Sequence, residues 1–177
     1  TTTLNGSYGS KVFVESGGYF LNNEMDDFSS KPGFPNMFGL IGGKANAIAP
    51  EKRMLSAMTP TIVEKNGKLS MIVGTPGGST IITSVLQTIL NVYEFGMSIQ
   101  EAVRAPRFHH QWLPDIVVIE PKQFDSLLIQ KLQTKGYDIK EEYSRTIGRV
   151  DAIHLSEKNV ISMGADPRGD DTAEPLY

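Results

Sequence analysis

The chain contains no cysteine, which excludes disulfides and thiolate chemistry and leaves the redox compartment open. It also lacks an excess of either charge. Its 17 Lys and Arg against 20 Asp and Glu give a net charge of −3, which argues against a nucleic-acid binder, since that would need a basic face to neutralise phosphates. No apolar run approaches bilayer-spanning length, and the opening Thr1-Thr2-Thr3-Leu4-Asn5 does not read as a signal peptide. Histidine offers little metal chemistry. His109 and His110 are adjacent on an extended segment and point to opposite sides, with no His-x-x-x-His or Cys partner. No metal site or cofactor is expected, and Pro106–Trp112 reads as a packed aromatic turn. What is present, 177 residues with 40% apolar and 21% charged content, fits one soluble globular domain over residues 1–177 with a sizeable core.

The apolar pattern orders the chain. Lys11–Val14 and Tyr19–Leu21 read as short strands around Gly17-Gly18. Residues 22–53 form a long loop punctuated by Pro32, Gly33, Pro35, Gly39, Gly42, Gly43 and Pro50, and a loop of that length in a compact domain is functional or disordered. Thr61–Glu64 and Leu69–Val73 flank Asn66-Gly67, a hairpin signal. Ile81, Ile82, Val85, Leu86, Ile89 and Leu90 recur at helical spacing, which predicts a helix over Ser79–Phe95 capped by Ser79 or Thr80 and stopped by Gly96. Ser98 and Glu101 form a capping box for a short helix ending before Pro106. Ile116–Ile119 predicts a strand, Asp125 or Ser126 caps a helix ending at Gly136, and Val150–Leu155 with Val160–Ser162 closes the pattern as a hairpin. The fold class expected is α+β, an antiparallel sheet with helices packed on one face.

Four segments carry candidate chemistry. Gly77-Gly78 lies between a strand end and a helix start, where bare backbone N–H groups can face an anion or a developing oxyanion; a plain tight turn is the alternative. Asn22–Phe28 places Glu24, Asp26 and Asp27 within four residues, either a solvated turn or an anionic pocket for an ammonium group. A calcium loop is disfavoured, because the alternating ligands and central Gly of an EF-hand are missing. Ser56 and Thr59 beside Pro60 make a hydroxyl-rich strand entry, and Arg168-Gly169-Asp170 reads as a structural turn.

Taken together, Leu4–Gly9, Glu15–Gly17, Leu21–Ser29, Lys52-Arg53, Thr75–Ser79, Ala105–Asp115 and Gly164–Asp171 resemble the small subunit of gamma-glutamyltransferases, over nearly the whole chain. The resemblance implies half of an αββα N-terminal-nucleophile hydrolase sandwich. It also implies an activity: a precursor cleaves itself, a new N-terminal threonine attacks a gamma-glutamyl amide, and the acyl group passes to water, an amino acid or a dipeptide. Such chemistry is sensible, because an N-terminal α-amine titrates near neutrality and can serve as base for an adjacent hydroxyl. The family's small subunit begins Thr-Thr-His, a string this chain does not contain. Thr1–Asn5 resembles the following strand instead, so the nucleophile is expected upstream of residue 1 and the chain alone is expected to be inactive.

By the same matching Thr3 is the family's second threonine, near the nucleophile, and Asn5 holds the nucleophile or substrate. Glu24 and Asp27 bind the glutamyl α-ammonium, and Ser56 with the following position binds its α-carboxylate. That position is Ala57 rather than the usual Ser, which removes one hydroxyl donor. Gly77 and Gly78 supply the oxyanion hole, and Phe38 is the aromatic gate of a lid loop over Pro32–Gly43. The partners implied are the large subunit of the same precursor, gamma-glutamyl substrates such as glutathione, and acceptor amino acids, dipeptides or water, in a periplasmic or secreted setting. Two alternatives stand beside this reading: a non-catalytic gamma-glutamyl-binding fragment or homologue, and a related acylase such as a cephalosporin-acylase-like amidase.

Overall fold

In a computed structural model of the protein, Asn66 and Gly67 both take positive φ, 55° and 72°, the backbone of a tight hairpin turn. They join β3 (Thr61–Lys65) to β4 (Lys68–Gly74) in antiparallel register, Ile62 opposite Ile72. The structure describes residues 3–56, 58–143 and 145–174. Two further antiparallel strands, β8 (Asp151–Leu155) and β9 (Ile161–Gly164), complete a four-stranded sheet in the order β3-β4-β8-β9. Alternation along β4 turns Met71 and Val73 inward, both essentially buried, and leaves Ile72 41% exposed on the other face.

Helices α1 (Ile81–Tyr93) and α2 (Ile99–Arg104) cover the inward face. Ile81, Val85, Ile99 and Val103 join Met71, Val73 and Ala152 in the core, each large side chain contributing roughly 1.5–3 kcal/mol. The capping box is formed: the Ser98 hydroxyl accepts from the Glu101 amide and the Glu101 carboxylate accepts from the Ser98 amide. Asp125 likewise accepts from the Leu127 amide at 2.7 Å and opens α3 (Ser126–Thr134).

Several expectations are corrected. The expected antiparallel sheet with helices on one face is the four-stranded one, and the described residues form two further sheets that the expected architecture did not include. One is the pair β1 (Phe13–Val14) and β2 (Tyr19–Phe20), both shorter than expected. Another joins β5 (Phe108–His109), β6 (Val117–Ile119) and β7 (Ile139–Glu141), with β6 and β7 parallel. A parallel pair needs a crossover, and α3 supplies it, so α3 packs on β7 rather than on the four-stranded sheet. Thr3 and Leu4 pair with no strand among the described residues and Asn5 is left-handed at φ 71°, so the expected strand over Thr1–Asn5 is not found there; Thr1 and Thr2 lie outside the described residues. Pro106–Trp112 is not a packed aromatic turn. Strand alternation buries Arg107 and His109 and turns Phe108 outward, and Trp112 is 73% exposed.

The backbone divides into two compact units, Thr1–Met58 and Thr59–Tyr177. The second holds the sheets and helices just described, apart from β1 and β2. The first consists of β1, β2, a 3-10 helix at Glu24–Asp27, another at Lys44–Asn46, and the loops between them. Among the described residues no helix is long and apolar enough to cross a membrane.

Candidate active site

In the first unit the candidate residues converge on the 3-10 helix that carries Glu24 and Asp27. The Asn5 amide donates to the Thr3 hydroxyl at 3.1 Å. The Asn5 side chain donates to the Asn23 carbonyl at 3.4 Å, and the Gly6 amide donates to the Asn23 side chain at 2.8 Å. Thr3 and Asn5 are thereby zipped onto the residue that immediately precedes Glu24. No cationic side chain pairs with Glu24 or Asp27 among the described residues. Asp27 Oδ2 is buried without a hydrogen-bond partner. Burial, then the charges of Glu24 and Asp26, raise the Asp27 pKa above its ordinary value. A half-buried carboxylate with one oxygen unpartnered, beside two other acids, is a site that a cation relieves.

Asp26 faces elsewhere, accepting the Met37 amide at 3.0 Å. Met37 and Phe38 sit at the tip of a hairpin whose arms are pinned by a Pro35–Ile41 bridge and by Gly33 N–H donating to the Gly42 carbonyl at 2.9 Å. Asn36 closes the tip, accepting the amides of Phe38 and Leu40 at 3.0 and 2.9 Å. This is the segment expected as a lid, with Phe38 half-buried. Between the hairpin and the acidic turn lies a cavity of about 240 Å³, lined by Asp27, Ser29, Phe34, Asn36, Leu40 and Ile41 among others. Ser56 is exposed, and its hydroxyl donates to the Met58 carbonyl at 2.7 Å. Ala57 lies outside the described residues.

In the second unit, Gly77 and Gly78 link β4 to α1 through a 3-10 helix at Gly78–Thr80, so the expected helix over Ser79–Phe95 begins later, at Ile81. The expected cap is also corrected, because neither Ser79 nor Thr80 accepts a helix amide. The Thr80 hydroxyl instead turns back and donates to the Gly77 carbonyl at 2.9 Å. Gly77 has φ 146° and Gly78 φ 57°, a pair of conformations that glycine alone adopts readily. A Cβ on Gly77 would stand 2.5 Å from Thr80 Oγ1. Neither glycine N–H donates to an acceptor of the protein among the described residues.

The turn rests on groups that sequence reasoning missed. The Thr75 hydroxyl donates to the Pro76 carbonyl at 2.6 Å and accepts the Arg149 amide at 2.7 Å. Gly148, at φ 70°, packs so closely that a Cβ there would stand 2.6 Å from Ser84 Oγ. Beneath this loop the Arg107 guanidinium, 2% exposed, donates to the carbonyls of Ile147 and Gly148 and pairs with Asp166 at 2.7 Å. Burial alone would raise the Asp166 pKa, but the Arg168 and Val150 amides and the Arg107 charge hold it below the usual carboxylate range. Arg168 in turn pairs with Glu120 and Asp166 and caps the carbonyls of Val103 and Ala105. The Arg168-Gly169-Asp170 turn is therefore structural, as expected. The signal for Arg107 and Asp166 was only their occurrence in strings the resemblance picked out, because nothing local joins residues so far apart in sequence.

The family model for gamma-glutamyltranspeptidase matches residues 1–176. The chain belongs to the gamma-glutamyltranspeptidase family. It is 46% identical over 177 residues to the glutathione hydrolase proenzyme of Escherichia coli K12, covering 100% of this chain and 30% of that protein. This member of the gamma-glutamyltranspeptidase family thus spans less than a third of that curated relative. Among solved structures, an acivicin-inhibited gamma-glutamyltranspeptidase superposes with a TM-score of 0.89 at 50% identity, over 97% of this chain and 92% of that one. The Pseudomonas nitroreducens gamma-glutamyltranspeptidase complexed with L-DON gives 0.90 at 42% identity, over 100% of this chain and 92% of that one. The α+β class expected from the sequence matches the fold of these structures.

Proposed function

We propose that this chain is the small-subunit portion of an enzyme that transfers or hydrolyses gamma-glutamyl groups, glutathione and related amides among them. The observation that carries the reading is the half-buried Asp27 carboxylate beside Glu24, whose Oδ2 is buried without a hydrogen-bond partner. An α-ammonium seated there satisfies Asp27 and relieves the repulsion within the cluster, whereas an acyl group lacking the amine does neither. This favours a glutamyl substrate over that of a generic acylase. Thr3 and Asn5 flank the reacting centre, Phe38 gates it, and Ser56 meets the α-carboxylate by exchanging its bond to Met58.

The nucleophile in this reading is a threonine that these 177 residues do not include, since no Thr-Thr-His occurs among them. Its hydroxyl adds to the amide carbonyl, and the N–H groups of Gly77 and Gly78 receive the developing oxyanion. The α-amine of that threonine takes the hydroxyl proton in the attack and gives it to the departing amine, and water or an acceptor amine then releases the acyl group. The large subunit of the same precursor is the partner. Two surfaces support this: the bare sheet face around Ile72 and the exposed α1 stripe of Ile82, Leu86 and Leu90. A periplasmic or secreted location follows from the same reading and is checked by fractionation.

The test uses the complete, processed protein and a gamma-glutamyl anilide beside its des-amino analogue. Asp27→Ala is expected to raise KM for the glutamyl substrate by about 30-fold or more, the loss of a charge-assisted contact, and to change the analogue little. Equal effects on both substrates, or no turnover by the unaltered protein, overturn the reading.

A further inference from the structure

The two glycine amides belong to peptide units whose opposite ends are each held by a threonine hydroxyl. The Gly77 N–H shares a peptide with the Pro76 carbonyl, which accepts from Thr75 Oγ1 at 2.6 Å. The Gly78 N–H shares a peptide with the Gly77 carbonyl, which accepts from Thr80 Oγ1 at 2.9 Å and from the Thr80 amide at 3.1 Å. Both peptides are trans, so C=O and N–H point in opposite directions across each plane. Fixing the carbonyl oxygen inward therefore aims the N–H outward. Both threonines are buried, 3% and 1% exposed, so water does not compete for their hydroxyls. The Thr75 hydroxyl is further oriented by the Arg149 amide, which occupies its lone pair and leaves its proton for Pro76.

We propose that Thr75 and Thr80 are positioning residues for the oxyanion hole, one for each donor amide. The inference rests on the role given to Gly77 and Gly78 under the proposed function and deepens it. Two glycines with positive φ are free to rotate their peptide planes, and a donor that swings away at the moment of charge development stabilises nothing. The hydroxyls remove that freedom without a side chain entering the site. They also polarise each peptide, since a carbonyl that accepts a hydrogen bond makes its own N–H a stronger donor. This explains why Thr80 forgoes the capping role its sequence position suggests. Its hydroxyl faces the turn rather than the helix amides.

Thr75→Val and Thr80→Val remove each hydroxyl at nearly constant shape, and Thr75→Ser and Thr80→Ser restore it. In the complete processed protein, each Val variant is expected to lower kcat for gamma-glutamyl anilide hydrolysis by about 10- to 100-fold, less than outright loss of a donor. Affinity for free glutamate, which develops no oxyanion, is expected to stay within about twofold, while a glutamate-like boronic acid that forms a tetrahedral adduct binds more weakly in step with kcat. Each Ser variant recovers most of the rate. Thr75→Val lies on a separate peptide and carries the test if Thr80→Val does not mature. An active parent whose Val variants keep their kcat, or lose glutamate affinity as steeply as rate, removes this inference alone. An inactive parent removes the proposed function, and the inference with it.

Discussion

At the scale of single residues, Asp27 shows a conflict between folding and binding. Its pKa is raised chiefly by burial, then by Glu24 and Asp26, so the folded chain favours the protonated acid more than the unfolded chain does. The sign of the linkage follows. A raised folded-state pKa contributes stability that is fully present below the unfolded pKa and is lost as pH rises through the folded one. At pH 7 the ionised Asp27 is therefore a cost to the fold, one that the ammonium ligand proposed above would offset. Asp27→Asn is expected to raise the thermal midpoint at pH 7, and the gain is expected to vanish as pH falls through the raised pKa to below the ordinary aspartate value. Thermal melts of both proteins across that range provide the check. A midpoint at pH 7 that falls on substitution would show that the carboxylate is stabilised in the fold and would remove the conflict. Saturating substrate is expected to narrow the difference from the other side, because the ligand stabilises only the form that retains the charge.

At the scale of elements, the acidic turn and the Pro35–Ile41 hairpin are tied together at Asp26. The turn contributes Asp27 to the cavity, and Asp26, its neighbour in sequence, accepts the Met37 amide at the hairpin tip. The bond is exposed, so it contributes on the order of 1 kcal/mol. That is enough to set how often the tip opens and too little to keep it shut. Asp26→Ala is expected to speed amide exchange at Met37 by about 5- to 10-fold, the equivalent of such a bond, with little change at Asn46, whose side chain holds the Asp27 carbonyl at 2.7 Å. Unchanged exchange at Met37 would show that the hairpin's own bonds hold the tip. Elements differed in how far the sequence revealed them. The Asn66-Gly67 hairpin, the Ser98–Glu101 box and the Asp125 cap are written in a few adjacent residues and appear as expected. The acidic turn was legible as a cluster, but its tie to the lid was not, because Asp26 and Met37 are joined by backbone geometry that no spacing encodes. Thr80 read as a cap beside Ser79, since a hydroxyl before a helix has two directions to turn and only the folded turn, where it meets the Gly77 carbonyl, selects one.

At the scale of the whole molecule, the four-stranded sheet has one face covered by α1 and α2 and another that no helix covers among the described residues, with only Thr172, Ala173 and Glu174 bordering its cavity. Register places Ile62, Ile72, Ile153 and Met163 in a single row across all four strands, with the three isoleucines 67%, 41% and 39% exposed. Sequence alternation announced that these strands have two faces, but it did not reveal that both are apolar, because the row is assembled from distant strands only once register is set. The opposite face carries α1 and α2, so the bare one is built for a second layer, and sheet-on-sheet packing suits a flat row of branched side chains. The chain corresponds to 30% of the Escherichia coli proenzyme, and the remainder of such a precursor is the occupant expected. Ile72→Lys combined with Ile153→Lys tests this where it is sharpest. On the exposed face the lysines cost the chain's own fold little, because their ammonium groups reach water. Against a second sheet they bury two unpaired charges, a penalty of roughly 2–5 kcal/mol for each and affinity losses of about 30-fold or more. The double variant is expected to leave this chain folded by circular dichroism while the rest of the precursor no longer co-purifies with it. Recovery of the full complex at the parent's yield would mean that the row stays in water, and that the second layer of the sandwich is built elsewhere.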